Sequence, residues 1–192
     1  MLHRLVALFL LAVFSCQVSA GITVDVGDYL LLPDTADQVV EITVSTDTSD
    51  TIALMNFLAE VSGPPNNPLI SEIDFDSESG LLFFGNSDGY VSSFSNGSIE
   101  QGSITVATLG SEVLAQGNIR VLIDTTGILS GGVWSFSLTD IAGNPQNDSS
   151  FADQNAAPVA AIFSNGSLTV IPEPSSALLV ALVTFVCCRR RH

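Results

Sequence analysis

This chain of 192 residues carries a net charge of −15 and contains no lysine, which argues against binding nucleic acid, where Lys and Arg must neutralise phosphates. All 20 acidic residues lie between Asp25 and Glu173, and Arg120 is the one base in that span, leaving it at net −19. The same span has no His and no Cys, which excludes nucleophilic triads, His/Cys zinc sites and disulfides there.

In chain order, the first element is an export signal. Arg4 precedes an apolar run over residues 5–14, and Val18-Ser19-Ala20 supplies small residues before a cut between Ala20 and Gly21. That order predicts a secretory signal peptide over residues 1–20, recognised in transit by the Sec translocon. Val13-Phe14-Ser15-Cys16 also loosely resembles a lipoprotein cleavage box, although Phe14 is bulky where that motif takes a small residue.

Residues 21–171 form the next unit, long enough for one domain with a substantial core. Ile22, Val24 and Val26 alternate with polar residues, as do Val40, Ile42 and Val44, then Ile104 and Val106, then Trp134, Phe136 and Leu138. This period of two predicts strands with one buried face. Residues 120–124 and 159–163 are apolar on both faces and read as central strands. The stretch IALMNFLAEV (52–61) would also suit a helix; strand is favoured because its neighbours are strands. Turn signals separate the runs at 63–68, Asn86-Ser87-Asp88-Gly89, Ser130-Gly131-Gly132 and Gly143-Asn144-Pro145. The expected fold is all-β, a single antiparallel β-sandwich.

Two local features within it carry chemistry. In IDFDSESG, Asp74, Asp76 and Glu78 alternate, so an extended chain would project three carboxylates to one side as a candidate Ca²⁺ site. Gly80 stands one place too late for an EF-hand loop, and a solvated strand face is the competing explanation; Asp47 and Asp50 are further candidate ligands. FSNGS occurs at 94–98 and again at 163–167, and Asn-Gly in each predicts a hairpin turn. A carboxylate pair of the glycosidase kind has many acids to draw on, but no arrangement marks one.

The order of elements, with ITVDVGDYLLLPD at the start, VEITVST next and GVWSFSLTDI late, resembles the cohesin-like and other Ig-like sandwiches of bacterial surface proteins. That resemblance implies a module that holds another protein or a polysaccharide, and no residue-level motif transfers a binding site.

Residues 172–192 close the chain. Pro172-Glu173-Pro174-Ser175 leads into an uncharged run over 176–188 and ends in Arg189, Arg190 and Arg191 with His192. The prolines keep the tripeptide extended, as a protease requires. The apolar segment spans about 14 residues, short of the roughly 20 that cross a bilayer. The arginines would stay cytoplasmic and orient the rest outside. These three parts in this order resemble the PEP-CTERM sorting signal, which implies recognition by an exosortase-type membrane protease that removes the helix. A plain C-terminal anchor is the alternative. Together these readings predict a non-enzymatic, acidic surface or extracellular-matrix protein, membrane-anchored before processing, with a structural or adhesive role. The alternative is a protein- or carbohydrate-binding module of cohesin-like type, with extracellular polysaccharide or a surface protein as partner.

Overall fold

The computed structural model describes residues 21–95, 99–129, 131–139 and 148–171. The predicted signal peptide (1–20) and sorting signal (172–192) lie outside them, as do the Gly143-Asn144-Pro145 turn and most of the first FSNGS.

The alternating runs become strands. The chain opens with β1 (Ile22–Asp25), β2 (Asp28–Leu31), β3 (Gln38–Thr46), β4 (Thr51–Ile52) and β5 (Leu54–Ser62). It continues through β6 (Leu69–Asp74), β7 (Ser87–Ser95), β8 (Glu100–Thr108), β9 (Val113–Leu114) and β10 (Gly117–Asp124). It finishes with β11 (Gly132–Ser137), β12 (Ser150–Ala152), β13 (Pro158–Val159), β14 (Ala161–Ser164) and β15 (Gly166–Val170). No helix occurs among the described residues, and the ambiguous 52–61 stretch is strand, lying in β4 and β5. Its apolar run suits a strand between β8 on one edge and β12 and β11, in succession, on the other.

Two sheets pack face to face. One runs β14-β1-β3-β10-β6; the other runs β13-β12-β5-β11-β15-β2, with β8 on the free edge of β5 and β7 outside β8. Alternation places Ile22, Val24, Val40, Ile42, Ile119, Val121 and Ile123 from the first sheet against Phe57, Ile104, Val106, Trp134, Phe136 and Leu168 from the second, all buried. Each such side chain contributes about 1.5–3 kcal/mol relative to an exposed position. Thr125 is a polar residue in this interior. Its hydroxyl accepts from Thr35 N (3.1 Å) and Gln38 Nε2 (3.0 Å) and donates to Leu32 O (2.7 Å), which offsets its desolvation.

The sandwich departs from the purely antiparallel expectation. β1 pairs parallel with β14 in one sheet, and β2 pairs parallel with β15 in the other. The first and last described segments, β1–β2 and β14–β15, therefore run side by side and cross between sheets together. Val26 N donates to Ser164 O (3.1 Å) before the crossing and Ser167 N to Gly27 O (3.3 Å) after it. Gly27 turns with φ +75°, and a Cβ on Gly166 would overlap the Gly27 carbonyl oxygen. Gly166 is required by the close approach of the two backbones and Gly27 by its left-handed φ.

Three local expectations are corrected for related reasons. The second FSNGS is not a hairpin: Asn165-Gly166 joins strands of different sheets, and neither residue has a positive φ, which a type I′ turn requires. Asn86-Ser87-Asp88-Gly89 runs into β7 and supplies a bulge between Ser87 and Tyr90 rather than a turn between strands. Residues 159–163 form edge strands, with Ile162 55% exposed, because β13 and β14 end their respective sheets. In contrast β10, which holds residues 120–124, lies between β3 and β6 as expected.

Candidate functional site

β7 is the long outer strand of the second sheet. Seven of its nine residues pair in register with β8, and among the described residues it pairs with no other strand. The first sheet ends at β6, which faces β8 across the core, so β7 overhangs the sandwich. Tyr90 and Phe94 stand opposite Val106 and Gly102, on the core side of the sheet, yet remain 57% and 43% exposed. Phe75, one residue after β6, meets the Tyr90 ring edge-on at 5.2 Å between centroids. Val91 points to the other side and is 75% exposed. An apolar trio on an unpaired strand edge is unusual for a surface that faces only water. Burial of Trp134 and Phe136 matches a scaffold role for those two, whereas Tyr90 is displayed. Nothing in SDGYVSSFS separates Tyr90 from the buried aromatics, since the overhang depends on where the other sheet ends.

The acidic candidates lie elsewhere, on the outer side of the first sheet. β6 ends at Asp74, and residues 75–78 fold into a turn rather than continuing extended. Asp74 Oδ1 accepts from Ser77 N (3.1 Å) and Asp76 N (3.3 Å), and Oδ2 from Ser77 Oγ (2.5 Å). This is the local side chain to backbone bonding that Asp favours in turns. Asp74 and Glu78 turn toward Arg120, whose Nη1 lies 3.7 Å from Asp74 Oδ2 and whose Nη2 bonds Glu78 Oε1. Glu41 on the neighbouring β3 completes the group at 3.5 Å. The bond to Glu78, together with the Glu78 and Asp74 charges, pushes the guanidinium above arginine's ordinary range, against the opposing effect of burial. Among the described residues no three His, Cys, Asp or Glu side chains converge as metal ligands. Asp50, the other acidic candidate beside Asp47, accepts from Thr48 Oγ1 at 2.6 Å in its own turn.

No protein-family model matches the chain, and no curated protein matches it. Solved structures do. The fold is similar to the third cohesin of ScaC from Acetivibrio cellulolyticus, solved in complex with the ScaB dockerin, with TM-score 0.58 and 14% identity over 78% of this chain and 99% of that one. It is similar to the cohesin of the Coh-OlpA–Doc918 complex from Clostridium thermocellum, with TM-score 0.54 and 13% identity over 78% and 99% of the two chains. A non-cellulosomal cohesin from the archaeon Archaeoglobus fulgidus matches with TM-score 0.50 and 13% identity, over 82% and 96%. The fold is a cohesin-like β-sandwich.

Proposed function

We propose that this chain is an exported, non-catalytic module of cohesin-like type that holds a protein partner along β7, and that its C-terminal signal delivers it to the cell surface or extracellular matrix. Similarity across nearly the full length of cohesin modules crystallised with dockerins carries the binding half of this reading. The unpaired β7 edge with Tyr90, Val91 and Phe94 supports it, because such an edge accepts a partner through backbone hydrogen bonds and apolar contacts together. The delivery half rests on the order of motifs in residues 172–192, with Sec translocation and exosortase-type processing as the route.

A photo-crosslinker placed at Val91 and, as control, at exposed Thr43 of β3 in the native envelope tests the binding half. The expected result is one discrete partner captured only from Val91 and lost when Tyr90 and Phe94 are changed to Ser. Equal capture from both positions would discard β7 as the binding edge.

A further inference from the structure

Glu100 opens β8, in phase with Gly102, Ile104 and Val106 on the face that points into the core. A carboxylate is out of place on that face. The residue is only 3% exposed; Oε1 accepts a long bond from Ile70 N (3.4 Å) and Oε2 has no partner. A buried, unmatched carboxylate oxygen is costly, and the bond it lacks can be supplied from outside. Glu100 lines a cleft of about 460 Å³ at one end of the sandwich, between the loop that follows β5 and the loop that follows β10. Asn66, Asn67 and Thr126 bring polar groups to it, Gly127 brings backbone, and Leu69 and Ile128 form the apolar wall. The volume suits a small molecule or one inserted side chain.

The chemistry narrows the occupant. One carboxylate is too few for calcium, which gathers six to eight oxygens. Among the described residues no aromatic ring lines the cleft as a platform for a sugar face. The missing partner of Oε2 must be a hydrogen-bond donor, and the acidic surroundings, net −19 between Asp25 and Glu173, favour a positive one. Arg120, the one base in that span, is engaged with Glu41, Asp74 and Glu78. A second cleft of about 300 Å³, beside Glu112, offers no such opening, since Glu112 accepts from Thr51 Oγ1 and from Gln154 N (2.9 Å).

We infer that the Glu100 cleft is a recognition pocket for an organic cation with N–H donors, a guanidinium or primary ammonium group, paired to Glu100 Oε2 and rimmed by Asn66 and Thr126. This goes beyond the β7 surface and does not depend on it. The test is calorimetric titration of the full-length chain with agmatine, with capped glycyl-arginyl-glycine, and with the neutral citrulline counterpart of that peptide, at constant ionic strength. Saturable binding of either cation, absent for citrulline and at least about tenfold weaker in E100Q, is expected for a charge-assisted bond. Agmatine binding alone would assign the pocket to free amines; tighter peptide binding would assign it to a partner's side chain. Should E100Q not fold, N66G serves instead, since Asn66 has φ +68° and glycine accepts that conformation. Several-fold weakening in N66G then supports the pocket. No saturable binding by either cation, or unchanged affinity in the folded variant, would overturn it.

Discussion

Replacing Arg120 by Gln leaves Glu41, Asp74 and Glu78 facing one another with no cation between them. The expected result is a lower Tm that NaCl partly restores, because Glu41 and Glu78 are exposed and screenable while Arg120 and Asp74 are half-buried. Without Arg120, the three carboxylates would be left to a cation from solution. Millimolar Ca²⁺ should therefore raise the Tm of R120Q more than that of the native chain; an equal rise with Na⁺ at matched ionic strength would reduce the effect to screening. Glu100 behaves in the opposite sense. Burial raises its pKa above the usual carboxylate range, with the Ile70 N bond opposing, and among the described residues no other titratable group lines its cleft. The folded state thus holds that proton more tightly than the unfolded chain. Its contribution is most favourable below the unfolded pKa of about 4.3 and is lost as pH rises through the elevated folded value. E100Q should be more stable than the native chain at neutral pH, and the gap should close on acidification. A gap independent of pH in denaturant titrations would contradict this.

At the scale of elements, the paired crossing of the first and last described segments is the most constrained point. Gly166→Ala places a methyl group into the Gly27 carbonyl, where backbone rather than a flexible side chain must yield. It should cost about 3 kcal/mol or more, at the upper end of overpacking penalties. Gly85→Ala is the informative control: φ is +70° but nothing lies within 4 Å of the new Cβ. It should cost about 1 kcal/mol through backbone conformation alone. Equal losses in urea unfolding would mean that the parallel crossing does not hold the sheets together. β7 presents the reverse situation, a long strand paired on one edge and, among the described residues, unpaired on the other.

For the whole molecule, the uneven charge distribution has two consequences. Twenty acids against one arginine between Asp25 and Glu173 repel one another in the compact state, so NaCl should stabilise the native chain generally. Each kcal/mol of relieved repulsion would appear as about 3 °C in Tm for a domain of this size. The other consequence concerns delivery. On the proposed delivery route, orientation at the membrane would depend on the bases clustered in Arg189, Arg190 and Arg191, and cleavage on Pro172 and Pro174. Changing both prolines to Ala should leave uncleaved protein in the membrane fraction, while the native chain yields a species ending near Pro174. Intact mass of the two fractions decides this, and a native chain that keeps Arg191 in the membrane would make the segment a plain anchor.

What the sequence determined by itself was the class of fold and the inward face of most strands. Alternation at Ile22-Val24, Val40-Ile42-Val44, Ile104-Val106 and Trp134-Phe136 is a local property of pleated backbone, and each of these residues is buried. Glu100 was legible in the same way, as a charge in phase with Gly102, Ile104 and Val106, although nothing in its neighbours marked the cleft. Tertiary structure decided the rest. Asn165-Gly166 carries a hairpin signal but sits where two backbones meet, so its glycine serves close approach rather than a turn. Residues 159–163 have the apolarity of a central strand, yet lie at sheet edges because β1 takes the inner position beside β14 and β12 the inner position beside β13. Tyr90 alternates like a core residue and is exposed because the opposite sheet stops at β6. Periodicity reports which residues share a face; whether anything covers that face depends on strands distant in sequence, and only the assembled sheets supply that.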